Sequence, residues 1–504
     1  FQSVKRPFFK APRTDWKEAL IFLLSMSAMG LSFYPALLIL VILMVRSFRR
    51  DRYHFMLQVL LFCGHFALAP VDLFPVKRAD LLIVAGIAGL FLVRRRDPIV
   101  RRSFIAFLLY TLCLLWFAMQ SIEEMTIQIR QMRENLSFVA YTVPLLFFAG
   151  SRFEARRFFQ LAAVYSLVIC VFYIIDGVFL KGWILIPASQ SIYSQSTFYS
   201  PVFNPVDLTY FPRKYPQGLP LLALIVWPLQ RVYRFSRKQW ALVAVSFLTM
   251  RTITVLGGFV VQFLCFIGRG RKMVYAGLAT GVLFIGLYFV DLAAGGFMRI
   301  SSTVEQFAML KVAEDREDLA EFGTTRMAQI IPKMELLYEQ NREWTGFGFI
   351  HPELSKNNSL QIFNDLYSNV EKANENPAFV EETHITTVLQ IGYIGLIVQT
   401  LFYIYLYFLV RRCRLSGYYL SVLIFVSVAG FGGFAGLNHW QGLFLLSWAY
   451  AVVLLDHLGN PQKEESGEDD GRNGTVDQSC EASPVKPGSG IAYVGPLGSN
   501  CGSS

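Results

Sequence analysis

Apolar runs of near membrane-spanning length alternate along this chain with short knots of arginine and lysine, and that alternation predicts its architecture. The knots are Arg46, Arg49, Arg50 and Arg52; Arg94, Arg95, Arg96, Arg101 and Arg102; Arg152, Arg156 and Arg157; Arg231, Arg234, Arg237 and Lys238; Arg269, Arg271 and Lys272; and Arg411, Arg412 and Arg414. Lys5, Arg6, Lys10 and Arg13 add one at the N-terminus. Positive side chains between spans stay in the cytoplasm, so an even number of crossings should separate each neighbouring pair of knots.

The apolar runs supply those pairs. Crossings are predicted at about 17–29 and 33–48, broken at Gly30 and Pro35, then at about 53–70 and 79–93, and at about 103–119 and 135–150. Further pairs fall at about 158–180 and 215–230, and at about 239–250 and 253–268, turning at Arg251. The last pairs are about 273–292 with 386–410, and about 418–436 with 440–455. The expectation is an all-α polytopic membrane protein of about 12–14 transmembrane helices, several shorter than the roughly 20 residues of a straight span. Residues 1–16 form a cytoplasmic N-terminus, 17–292 the first eleven helices, 293–385 a large outer loop, and 386–455 the last three helices. Residues 456–504, rich in Gly, Ser, Glu and Asp, read as a disordered cytoplasmic tail. No internal repeat is evident.

The outer loop has helical pattern of its own. Val304, Phe307, Leu310 and Val312 predict an amphipathic helix within 302–320. A second should start near Thr324 or Thr325, either of which can serve as N-cap, with Met327, Ile330, Ile331, Met334 and Leu337 as its apolar stripe and Pro332 as a kink point. It should end before Trp344-Thr345-Gly346-Phe347-Gly348, a tight turn rather than a nucleotide loop, because no βαβ context follows. The Asn-rich stretch 357–376 reads as a polar loop.

Composition sharpens this picture. Of 504 residues, 54% are hydrophobic and only 16% charged, against about 25% charged in soluble domains. The net charge of +10 does not indicate nucleic acid, since the basic residues lie between spans and not on one face. Of seven cysteines, Cys63, Cys113, Cys170 and Cys265 fall in apolar runs, Cys413 in a basic knot, and Cys480 and Cys501 in the tail, so no disulfide is expected. No cleavable signal peptide is visible, and Phe1-Gln2-Ser3 reads as the remnant of a protease site.

Three basic residues on the outer side carry candidate chemistry. Arg251 interrupts an apolar run, where an arginine either snorkels to the interface or meets an anion. Arg326 lies in the first turn of the second loop helix, as a solvated side chain or an anion ligand. His384 opens a crossing, where a neutral imidazole is either a hydrogen-bonded interfacial group or a general base. Glu381 and Glu382 before it either orient it or favour the helix N-terminus. Tyr193, Tyr199, Phe203, Tyr210 and Phe211 in loop 181–214 suit sugar rings and equally a membrane interface. His54, His65 and His439 show no metal-ligand spacing, and the outer side carries no Asp-x-Asp pair.

The order of these parts resembles the O-antigen ligase and O-antigen polymerase superfamily: a crossing ending at Arg251, Arg326 on a loop helix, the Trp-x-Gly-x-Gly turn, and His384 before Gly392-Tyr393-Ile394-Gly395-Leu396. The resemblance covers about 239–410. Many members carry Asn after this His, where Ile385 stands here. It implies a membrane glycosyltransferase fold of the C type with a large helical periplasmic loop. The bacterial inner membrane would be its location, with both termini cytoplasmic. By the resemblance, Arg251 and Arg326 hold the pyrophosphate of an undecaprenyl-pyrophosphate-linked glycan, and His384 activates the hydroxyl of an acceptor glycan or of lipid A-core. Transfer would invert the anomeric centre without metal or other cofactor, in the lipid bilayer, with a chain-length regulator as a further partner. The span number favours a polymerase over a ligase. A transporter or flippase is the rival of another class, but such proteins show midplane charge and repeated halves. An envelope-machine scaffold would be a third.

Overall fold

The computed structural model describes residues 12–29, 32–63, 72–73, 76–93, 97–120, 128–129, 132–178, 326–349, 383–429 and 440–459, with isolated positions within 282–293 and at 437. Regular structure among them is helical, apart from a two-residue antiparallel ladder that pairs Asp72 with Lys77 and Leu73 with Val76. The helices are α1 (Arg13–Ala28), α2 (Phe33–Arg50), α3 (Arg52–Cys63), α4 (Arg78–Val93), α5 (Pro98–Met119), a 3-10 helix (Arg133–Tyr141), α6 (Thr142–Phe147), α7 (Ala155–Val178), α8 (Arg326–Glu339), α9 (Thr383–Val410), α10 (Ser416–Ala429) and α11 (Trp440–Gly459). The predicted crossings at about 215–230, 239–250 and 253–268, the helix within 302–320 and the 357–376 loop lie outside the described residues.

Among the described residues, three helices are long and apolar enough to cross a membrane: Pro98–Met119, His384–Val410 and Gly442–Gly459. Ala79–Val93 and Ser416–Ser427 are apolar but shorter. The protein is thus a mainly helical chain with membrane-length apolar helices. α11 is the central one, buried along most of its length, whereas α5 and α9 each leave wide apolar faces open at Leu108, Leu109 and Leu112 and at Ile397, Leu401 and Phe408. Helices that expose such faces to their solvent have lipid as that solvent.

Local sequence explains where several elements begin and end. Asp97 caps α5, accepting from the backbone N–H of Ile99 at 2.7 Å, with Pro98 at the first helical position where its missing N–H costs nothing. The predicted crossing at about 135–150 is a 3-10 helix that passes into α6. A 3-10 helix is narrower than an α-helix, and here its backbone packs against Gly86 of α4, while Gly89 one turn on meets the Thr142 and Leu146 side chains of α6. A Cβ on Gly86 would stand 2.8 Å from the Val139 carbonyl, and the Thr142 hydroxyl donates to the Gly86 carbonyl at 2.6 Å. Small residues at a helix contact give such close approach in apolar surroundings. An aromatic core fills the space between α5, the 3-10 helix, α9 and α11. Tyr110 stacks on Phe402 with ring centroids 4.4 Å apart, and Phe138 meets Tyr141, Phe402, Tyr403 and Tyr450.

Charged side chains gather the helix ends. Arg157, at the start of α7, grips Asp15 at the start of α1 through two bonds of 2.5 and 2.9 Å. The same guanidinium reaches Asp51, between α2 and α3, at 2.7 Å. His54 donates from Nε2 to Asp15 at 3.3 Å, and the Tyr165 hydroxyl, which accepts from Gln58, donates to His54 Nδ1 at 3.1 Å. Arg52 donates to the Phe147 carbonyl at the end of α6. Arg414, before α10, pairs with Asp456 near the end of α11, and His457 lies 3.6 Å from Asp97 at the start of α5. The ring of Phe159 in α7 packs on Tyr418 in α10, joining the two charged groups. One end of the bundle therefore collects the starts of α1, α3, α5, α7 and α10 and the ends of α2, α6 and α11. Helices α1 to α5 therefore alternate in direction, as do α9 to α11, and the basic knots near positions 50, 100, 155 and 412 come together.

Burial alone would push the Asp15 carboxyl up. The hydrogen bonds from His54 and Arg157 and the Arg157 charge outweigh it and hold the group at about 2.

Candidate active site

α8 closes with a Schellman motif. The Arg342 N–H donates to the Leu337 carbonyl at 2.9 Å and the Asn341 N–H to the Tyr338 carbonyl at 2.9 Å, with Asn341 at φ 53°. The helix runs through Pro332 without ending there. Leu336 and Leu337 are buried, as predicted for Leu337 in the apolar stripe, and they pack with Phe347, Val388 and Leu389. Lys333, not expected in the interior, is also buried at 3% exposure.

The chain after Asn341 does something the sequence pattern alone does not predict. α9 is broken at Gly392, whose φ of 67° and ψ of −175° lie in a region essentially restricted to glycine. The break strands backbone groups on both sides of it, and turn 343–348 takes them up. Phe347 N–H donates to the Leu389 carbonyl at 2.7 Å, and Gly348 N–H to the Gln390 carbonyl at 2.9 Å. In return, Tyr393 N–H donates to the Glu343 carbonyl at 2.9 Å and Ile394 N–H to the Trp344 carbonyl at 3.4 Å. The two strands of chain touch backbone to backbone. A Cβ on Gly392 would overlap the Trp344 carbonyl, and one on Gly346, at φ 75°, would overlap the backbone of Gln390. An interrupted helix is tolerated in apolar surroundings only where other groups satisfy the freed backbone, and the turn does that. The predicted tight turn is thus present, but its role is to complete α9.

Side chains extend the junction. Arg342 donates from Nη1 to the Gln120 carbonyl after α5 at 2.9 Å, and Phe349 N–H donates to Gln128 Oε1 at 2.6 Å. Tyr338 and Tyr393 share a hydroxyl–hydroxyl bond of 2.6 Å. Glu343 Oε2 is buried with no hydrogen-bond partner among the described residues.

His384 is the second residue of α9 and is half-buried. Its Nε2 lies 2.7 Å from the Ser427 carbonyl. Ser427 is within the last turn of α10, where carbonyls have no partner inside the helix, so the imidazole satisfies one of them. A carbonyl only accepts; Nε2 therefore carries the proton, and in the neutral ring the basic lone pair is on Nδ1.

No model of a known family and no curated protein matches the chain.

Of the residues singled out from sequence, the structure joins two elements. The helix that opens at Arg326 packs through Leu336 and Leu337 onto the half-helix that carries His384. Arg251, Glu381 and Glu382 lie outside the described residues, as do the aromatic residues of loop 181–214. Among the described residues no three His, Cys, Asp or Glu side chains converge as a metal cradle. Sequence reading passed over Arg342, Gln120 and Gln128. Their signal is weak, because both contacts use a backbone partner that any residue would provide.

Proposed function

We propose that this chain is an inner-membrane glycosyltransferase that moves a glycan from undecaprenyl pyrophosphate to an acceptor glycan on the periplasmic face, as a polysaccharide polymerase. The observation that carries the reading is the orientation of His384. His384 opens the half-helix that the junction holds, and its Nε2–H is fixed on the Ser427 carbonyl, which sets the plane of the imidazole of a positioned base. The packing of the Arg326 helix on the same half-helix supports it further.

In this mechanism the acceptor hydroxyl attacks the anomeric carbon while its proton passes to His384. The bond from that carbon to the pyrophosphate breaks, and the configuration inverts. Arg251 and Arg326 hold the departing pyrophosphate and stabilise the charge it gains, the task a metal performs elsewhere. Lysine at either position keeps the charge but loses the planar fork, so each Arg→Lys variant should still be impaired. The basic knots lie in the cytoplasm in this reading, and His384 and the 343–348 turn face the periplasm.

Deletion of the gene distinguishes polymerase from ligase. A polymerase deletion leaves single repeat units on the final carrier. A ligase deletion leaves long chains on undecaprenyl pyrophosphate. Normal glycans in the deletion strain would contradict both.

A further inference from the structure

The turn that completes α9 also displays an unusual set of side chains. Trp344 is 56% exposed and Tyr338 49% exposed, although both are aromatic. Trp344 stands edge-on to Tyr393 with ring centroids 6.1 Å apart, and Tyr393 is tied to Tyr338 through their hydroxyls. The three rings therefore form one connected surface. It is rigid, because the carbonyl of Trp344 and the N–H of Tyr393 both belong to the backbone stitching across Gly392. Next to the rings, Arg342 spends one N–H on the Gln120 carbonyl and pairs with no carboxylate among the described residues. Glu343 brings a carboxylate oxygen that accepts from no group among the described residues. A buried acceptor left in that state is unfavourable until a donor arrives.

We propose that Tyr338, Trp344 and Tyr393, flanked by Arg342 and Glu343, form a platform for a neutral stretch of the glycan substrate. The inference rests on the glycosyltransferase reading and adds a subsite to it. Ring faces suit the C–H faces of sugars, and sugar hydroxyls both donate and accept. Glu343 takes the donors and Arg342 supplies them. A phosphate fits less well, since the carboxylate repels it. A lipid headgroup region would explain the rings as an interfacial belt but not the carboxylate beside them. The platform uses residues other than Arg251 and Arg326, so binding of sugar and of anion should respond to different substitutions.

The test uses the purified full chain in nanodiscs. Two probes are titrated: the oligosaccharide released by mild acid from the lipid-linked pool of the protein's own cells, and undecaprenyl pyrophosphate without sugar. The parent should bind both. Trp344→Ala and Glu343→Ala should each weaken oligosaccharide binding about tenfold or more, Trp344→Phe should restore most of the loss, and none should change undecaprenyl pyrophosphate binding. Elution of each variant as a single monodisperse peak controls for folding, which exposed Trp344 should not disturb. Unchanged oligosaccharide affinity in both alanine variants would overturn the platform. So would a Trp344→Ala variant that keeps its sugar affinity but falls out of the bilayer, the behaviour of a belt residue. A parent that binds undecaprenyl pyrophosphate but no oligosaccharide sinks the platform alone. A parent that binds neither sinks the glycosyltransferase reading with it.

Discussion

The two ends of the helix bundle are held by different chemistry. At one end charged side chains join five helix starts, with Arg157 bridging Asp15 and Asp51, and Arg414 paired with Asp456. At the other, the turn after α8 enters a break in α9 and is held mainly by main-chain hydrogen bonds around Gly346 and Gly392. Side-chain ion pairs tolerate some repositioning, since long side chains can follow a moving partner. A backbone junction between two glycines has no such slack. The second end is therefore the one built to keep a fixed geometry, and His384 begins the half-helix that this junction holds.

The sharpest way to break the contrast is at the junction. Gly392→Ala places a Cβ on the Trp344 carbonyl and forces alanine into a glycine-only conformation. It should destabilise the protein by about 4 kcal/mol or more, read by thermal unfolding in detergent. An unchanged unfolding temperature would mean that the turn does not enter α9.

The ion-paired end should lose less. Asp15→Asn removes one partner of a largely buried pair but leaves Asp51 on Arg157, so a cost of about 3 kcal/mol is expected in the same assay. The pH dependence follows from the same group. Its folded value, about 2, lies below the usual 3.8, so its contribution is fully present above about pH 4 and is lost as pH falls toward 2. The parent should lose stability through that window, and Asp15→Asn should lose less there. Equal acid sensitivity in the two proteins would remove Asp15 from the account.

The smallest effect should come from the helix end that feeds the junction. Asn341→Ala puts a residue with a Cβ and no compensating polar group at φ 53° and should cost about 1 kcal/mol, whereas Asn341→Gly should be close to neutral. Reversal of that order in chemical denaturation would contradict the capping role.

Much of the first end was legible in the sequence. The arginine knots predicted that helix ends would gather there, and most described helices begin and end within a few residues of the predicted apolar runs, α3 and α10 ending seven residues earlier. Their acidic partners were not legible, because Asp15 and Asp51 meet Arg157 only through tertiary packing. The second end was legible in parts and not as a whole. Gly346 and Gly348 were visible as a turn signal, but Gly392 lay inside a crossing read as continuous, and nothing in either segment says that one glycine faces another more than forty positions away. Hydropathy also could not separate a 3-10 helix from an α-helix at 133–141, since both bury the same residues. His384 was legible as a candidate through its neighbours in the chain. The Ser427 carbonyl that orients it was not, because a main-chain acceptor leaves no mark on residue identity.

The most direct measurement is glycan transfer by the purified protein in liposomes, from undecaprenyl-pyrophosphate-linked repeat units to an acceptor glycan, with a metal chelator present. The account predicts elongated products from the parent, and from His384→Ala a rate lower by about a hundredfold or more at equal protein level. Transfer by His384→Ala at the parental rate, or no transfer by the parent until magnesium or manganese is restored, would contradict it.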